Sequence, residues 1–173
     1  LIEEPQAREL ATATLGRPEM FLGDVQELRE GWYFPYRATV PLMGSSGVIV
    51  NKRTGRTFGL GSGHPVERDL RLYDRGWQCW HYDIVVLAIR DLRETLRALD
   101  RLRLKTIEPT YENGQVWRVA KTMTELEISR KLEKLPCIFP AVHLYFDFEV
   151  LEEVREAGWF TFDAVEYHGP GVR

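Results

Sequence analysis

Cysteine is scarce in this chain, with Cys79 and Cys137 the two examples in 173 residues. That scarcity sets aside a disulfide-stapled secreted scaffold and suits a reducing compartment, so a cytoplasmic location is expected. No apolar run approaches the roughly eighteen residues of a membrane span, so no membrane partner is expected. No internal repeat or low-complexity tract is present, and no repeat array or Gly/Ser linker is expected. A strong excess of one charge is also missing. The 26 acidic and 23 basic residues leave a net charge of −3, which supplies no bulk drive toward nucleic acid. The opening LIEEPQAREL is acidic and polar, unlike a signal peptide. The missing initiator Met predicts a removed residue or trimmed segment before Leu1, and a signal could have left with it.

Apolar residues make up 44% and charged residues 28%, a balance that reads as globular rather than disordered. The length is enough for one ordinary domain or two small ones. EEPQARELATATLG predicts a first helix, with Pro5 near its start and Gly16 as a stop. DVQELREGWYFPYRATV predicts two strands around a turn at positions 29–31, because clustered aromatics favour a pleated surface. GVIV and RTFGL are read as hairpin partners joined by NKRTG, and PVERDLRLYDRG as a helix.

The second half predicts a strand in WHYDIVVLAI, then an amphipathic helix in DLRETLRALDRLRL. Asp91 and Glu94 stand there at capping-box spacing, and Leu92, Leu96, Leu99 and Leu102 form the apolar stripe. GQVWRVA is read as a strand after an Asn113–Gly114 turn. TMTELEISRKLEKL is read as a helix capped by Thr122 with Glu125 and ended by Pro136. AVHLYFDF predicts a strand, EVLEEVREAG a helix closed by Gly158, and WFTFDAVEY a last strand. The expected class is α+β. A small antiparallel-sheet domain with flanking helices (residues 1–77) precedes a second, α/β sandwich-like domain of about four strands and three helices (residues 78–173).

The stretch NKRTGRTFGLGSGHP holds four glycines, Gly55, Gly59, Gly61 and Gly63. A phosphate loop of the Walker kind needs a Lys and a Ser or Thr after its last Gly, but His64 and Pro65 follow Gly63. A dinucleotide fingerprint needs a different glycine spacing and a parallel βαβ unit. The simpler reading is architectural: Gly55 completes a hairpin turn, and Gly59, Gly61 and Gly63 let the exiting chain bend before a helix at Pro65.

With those residues in view, the first half resembles the immunity protein 35 family, also called YrhB-like. That family pairs a GWxF strand with a later hairpin and a helix ending in Tyr. The hairpin carries a Gly, three apolar residues, Asp or Asn, Lys, a Ser or Thr before Gly, and a final Leu-Gly. The matching positions are Gly31, Trp32 and Phe34; Gly47, Val48, Ile49 and Val50; Asn51, Lys52, Thr54 and Gly55; Leu60 and Gly61; and Tyr73. The match spans roughly residues 5–77. It departs from the family in having Asn51 where Asp is common, and a short segment between Phe34 and Gly47. The resemblance implies a small α+β domain that protects the producing bacterium from a toxin made by itself or a sibling. It implies no catalytic residues and no cofactor. The second half resembles no family in this way.

Other constellations have structural alternatives. Cys79 and His81 flank Trp80 and offer a thiolate nucleophile, hence a small enzyme; ordinary sheet packing is the simpler reading, since an orienting third group is also needed. Cys79, His81, Cys137 and His143 miss the usual zinc-finger spacings, so no metal is expected. No G-x-S-x-G elbow occurs around Ser45, Ser46 or Ser62. Arg93, Arg97 and Arg101 recur every four residues, a stripe that suits phosphate contact but is more often the wet side of a helix.

Between positions 147 and 166 there are seven carboxylates and one Arg. Within this run, Asp147, Glu149, Glu152, Glu153 and Glu156, with Trp159 just after, form the expected toxin interface. The acidic face would steer a basic toxin cleft, and a buried aromatic would anchor it. The leading expectation is therefore a non-catalytic immunity protein that blocks a cognate toxin. A YrhB-like chaperone for unfolded clients is the alternative from another class.

Overall fold

The computed structural model describes residues 1–39 and 44–169. It is a mixed α+β structure, and every strand pairing in it is antiparallel. The chain divides into two compact units, Leu1–Gln78 and Cys79–Arg173.

In the first unit, helix α1 (Glu4–Thr12) carries Pro5 in its first turn, where the missing N–H costs nothing. The strands are β1 (Met20–Leu22), β2 (Gln26–Glu27), β3 (Gly31–Ala38), β4 (Ser45–Asn51) and β5 (Thr57–Gly61), followed by helix α2 (Val66–Asp74). The sheet runs β1-β3-β4-β5, with β2 also on β3. Val40, the end of the expected GWYFPYRATV strand, lies outside the described residues, as does part of the segment between Phe34 and Gly47.

Period-two alternation explains why β4 is apolar without interruption. Val48 and Val50 join Phe34, Ala7 and Ala11 in one buried cluster, so α1 covers that face. Ile49 points the other way and pairs across with Phe58, whose ring lies 5.8 Å from that of Tyr73 on α2. The two helices thus cover opposite faces. Gly47 lies on β4 close against the neighbouring strand β3. A Cβ there would come within 2.5 Å of the Tyr33 ring and 2.6 Å of the Phe34 carbonyl oxygen.

The second unit contains β6 (His81–Ile89), α3 (Leu92–Arg101), β7 (Lys105–Glu112), β8 (Gln115–Thr122), α4 (Glu125–Leu132), β9 (Cys137–His143), α5 (Phe148–Ala157) and β10 (Phe160–Glu166). Its three-stranded sheet runs β10-β6-β9, and β7 and β8 pair only with each other among the described residues. Five described strands therefore stand where four were expected. Tyr82, Ile84 and Val86 alternate into the core, and Tyr82 meets Phe148 of α5 edge-on.

Several local expectations need correction. Asp91 does cap α3, accepting from the Glu94 N–H at 3.0 Å. The buried face of α3 is centred on Thr95, Ala98 and Leu99, and Leu92 is exposed, so the leucine stripe is rotated from the one expected. The reciprocal capping box of α4 is Thr124 with Glu127, two residues beyond the expected pair. Residues 144–147, expected as strand, form the turn into α5. Gly59 sits within β5 on its exposed side rather than at a bend.

Candidate functional site

The glycine stretch is the natural place to begin. Asn51 ends β4, and its side-chain oxygen accepts from the N–H groups of Arg53 and Thr54, both at 3.0 Å, and from the Thr54 hydroxyl at 3.1 Å. This side-chain turn orders the loop. Gly55 closes it with φ of +70°, a conformation that costs glycine nothing. The Asn51 amide donates to the Tyr73 hydroxyl and to Gln78, so the turn is tied to the end of α2. Lys52 donates to the Leu28 carbonyl and to Glu27, and lies 4.7 Å over the Trp32 ring. The Trp32 indole N–H in turn donates to the Ile2 carbonyl. The side chains of Asn51, Lys52, Thr54 and Tyr73 are thus engaged in holding the hairpin.

The acidic residues gather on α5. Glu149, Glu152, Glu153 and Glu156 fall at helical spacing on one side, consistent with i, i+3, i+4 and i+7. Glu152 and Glu153 have basic partners. Arg101 of α3 grips Glu153 through both nitrogens at 2.5 and 3.0 Å, and Arg155 donates to Glu152 at 3.0 Å. The Arg101 hydrogen bond holds the Glu153 carboxyl below the usual carboxylate range and raises Arg101. Glu149 and Glu156 are exposed. Trp159 is half-buried, and its carbonyl accepts from the N–H groups of Arg90 and Asp91. Asp147 stands apart in environment: it is the N-cap residue of α5, yet its carboxylate makes no capping bond.

Asp147 instead lines a cleft of about 580 Å³, together with His81, Arg103, Lys105, Pro140, His143 and Phe146. Strand register builds this cleft. His81 pairs opposite His143 across β6 and β9, and their rings sit 4.8 Å apart. A bulge places Pro140 and Ala141 opposite Asp83 alone, and Asp83 accepts from the Ala141 N–H at 2.8 Å. Ala141 has φ of +52° and Arg103 has φ of +48°. Both are non-glycine residues in the left-handed region, where such residues carry strain, and both line this one cleft. Trp80 lies parallel to the His143 ring, 6.2 Å away.

Burial pushes both histidines below their ordinary value. For His143, neighbouring His81 and Lys105 push further the same way, against the pull of Asp147. Burial raises Asp147, and Arg103 opposes that shift. The histidines are therefore neutral at neutral pH, each able to donate and accept one hydrogen bond.

The expected alternatives separate in space. Cys79 precedes β6, and its thiol donates weakly to the Tyr167 carbonyl at 3.6 Å; no hydrogen bond joins it to His81 among the described residues. Cys137 pairs with Val86, five residues along β6 from His81, a distance of roughly 17 Å at strand rise. Register therefore brings together the two histidines of the four zinc candidates and leaves Cys137 far off. Among the described residues no group of three or more His, Cys, Asp or Glu side chains is placed to hold a metal. No helix among them is long and apolar enough to cross a membrane.

The remaining surface feature is the β7–β8 hairpin, joined through Asn113 and Gly114, both with positive φ. That is the geometry of a tight two-residue turn. Tyr111 pairs with Val116, Ile107 with Ala120, and Thr110 with Trp117. Tyr111 is 73% exposed and Trp117 54%, and Ile107, Val116 and Val119 are exposed too. By register Tyr111, Ile107 and Val116 lie on one face of the hairpin and Trp117 and Val119 on the other, so both faces expose large apolar side chains. Sequence reading missed strand β7 and the basic side of the cleft. The Asn113–Gly114 turn was the available signal for the hairpin, and no local signal marks Arg103. Comparison with protein-family models, with curated proteins and with solved structures returned no match.

Proposed function

We propose that the chain is an immunity protein of the immunity protein 35 (YrhB-like) kind, acting in the cytoplasm of the bacterium that makes it. It binds one cognate toxin domain and blocks that domain's active site, and it performs no chemistry of its own. The observation that carries this reading is the engagement of the motif residues. Asn51, Lys52, Thr54 and Tyr73 are bonded to one another or to the surrounding fold, as a scaffold would use them. Residues 1–77 supply that scaffold, and residues 78–173 supply the toxin contact.

On that second part the exposed Glu149 and Glu156 steer a basic toxin surface, with Asp147, Glu152, Glu153 and Trp159 around them. Long-range charge of this kind raises the rate of association, and a few desolvated aromatics supply most of the affinity. Tyr111 and Trp117 are exposed rings that suit that anchoring role. The test is to identify the gene beside this one and, where it encodes a toxin domain, to co-express the two. Growth restored by this chain supports the reading. Growth arrest that persists while the chain is well expressed and folded contradicts it.

The same exposed hairpin favours a second reading, a chaperone-like protein holding unfolded clients. Promiscuous binding to several reduced, unfolded proteins with no preference for the neighbouring toxin distinguishes it.

A further inference from the structure

The His81–His143 cleft shares only Asp147 with the proposed toxin contact, and its other residues offer a chemistry that toxin binding does not use. Its volume of about 580 Å³ lies inside the range of small-molecule sites, about 300–1,000 Å³. Arg103 and Lys105 line it, and among the described residues neither side chain has a hydrogen bond or a carboxylate at ion-pair distance. Two neutral imidazoles stand beside them, and Asp147 offers carboxylate acceptors. Phe146 lines the same cleft and is 60% exposed, with its ring meeting Tyr145 edge-on at 4.6 Å. Two of the three described non-glycine residues with positive φ, Arg103 and Ala141, belong to it, and strain of this kind gathers at binding sites.

We propose that this cleft binds a small anionic ligand with a flat ring, of the nucleoside monophosphate class. Arg103 and Lys105 take the phosphate, since two cations outside any ion pair suit a dianion, and Asp147 faces the other end of the ligand. Phe146 stacks on the base, a contact every base can make. Asp147 accepts from the ribose hydroxyls, and the histidines donate to and accept from the polar edge that remains. Apart from Asp147 this site uses none of the residues of the immunity reading, and the ligand test below is decided without it.

The test is titration calorimetry of the full chain with adenosine, guanosine, cytidine and uridine monophosphates, and with adenosine and inorganic phosphate alone. Saturable binding of at least one monophosphate is expected, with its nucleoside and phosphate each about tenfold weaker or more. Arg103→Gln and Lys105→Gln, each with an unchanged circular dichroism spectrum, should each weaken that binding about tenfold. Phe146→Ala should weaken the nucleotide and leave phosphate unchanged. No binding of any monophosphate at millimolar concentration overturns the proposal. Equal binding of nucleoside and nucleotide, or of phosphate and nucleotide, also overturns it, because one half of the ligand would then be irrelevant.

Discussion

The side-chain amide of Asn51 donates to the hydroxyl of Tyr73 at 3.1 Å, and this bond ties the hairpin turn of the first unit to the end of its second helix. Asn51 is buried and also receives bonds from Arg53 and Thr54. Replacing it with Ala removes these together and strands the turn's N–H groups. Asn51→Ala should therefore destabilise the first unit by about 2–3 kcal/mol. Asn51→Asp keeps the acceptor that orders the turn, and Tyr73 can then donate to the carboxylate. Its cost should be below about 1 kcal/mol. Urea unfolding of both variants measures the difference.

The glycines divide into those the fold needs and those it does not. Gly47→Ala would drive a methyl group against the Phe34 carbonyl oxygen, which is backbone and cannot swing away. A loss of about 1–3 kcal/mol is expected. Gly59 has open space where a Cβ would go and no positive φ, so Gly59→Ala should be neutral or stabilising by about 0.5 kcal/mol. Thermal unfolding of the pair ranks them. A costly Gly59→Ala would point to something approaching that backbone.

Arg101 and Glu153 form a bidentate but half-exposed pair, with side chains 48% and 45% accessible. Water and salt screen it, so a double-mutant cycle to Ala should give about 0.5–1 kcal/mol at neutral pH and less in high salt. The Glu153 carboxyl is depressed in the folded state. Its contribution is therefore present above the ordinary glutamate range and lost as the pH falls through the folded value. The cycle repeated at pH about 3 should give a smaller coupling.

His81 and His143 shift in the same direction for related reasons. The folded state holds both below the ordinary value of about 6.5, so the unfolded chain binds more protons just below that pH. Stability from this pair is full above that value and falls as the pH drops toward the depressed folded values. In His81→Gln, His143 loses its like-charged neighbour and should titrate higher, while burial still keeps it below an exposed histidine. Ring-proton NMR across a pH series reads this directly. An unmoved His143 would show that burial, Lys105 and Asp147 set its value without His81.

The features legible in the sequence are those carried by local chemistry. Asp91, Gly55 and Gly158 mark ends and turns because caps and positive φ demand particular residues. The α4 cap was ambiguous: Thr122 and Thr124 each have a Glu three residues on, and only packing selects the second. Strand β7 escaped notice because Pro109 and alternating charges in KTIEPTYE disguise a strand that pairs along a single edge. The aromatic run at positions 145–148 reads as a strand, but Phe148 is needed inside α5 against Tyr82. The cleft was least visible. His81 and His143 are far apart in sequence, and cross-strand register with a bulge at Ala141 brings them together. Arg103 faces it from a left-handed conformation that no residue type there announces.

The proposal that most depends on measurement is capture of one toxin by the second unit. Isothermal titration of the purified chain against the adjacent gene's toxin domain, inactivated for handling, addresses it directly. The account predicts a one-to-one complex with a dissociation constant below micromolar. It predicts about tenfold weakening or more for Trp117→Ala or Tyr111→Ala without loss of stability. Glu149→Lys combined with Glu156→Lys should slow association and reduce its salt dependence. Absence of a complex at tens of micromolar, with both proteins folded, would contradict it.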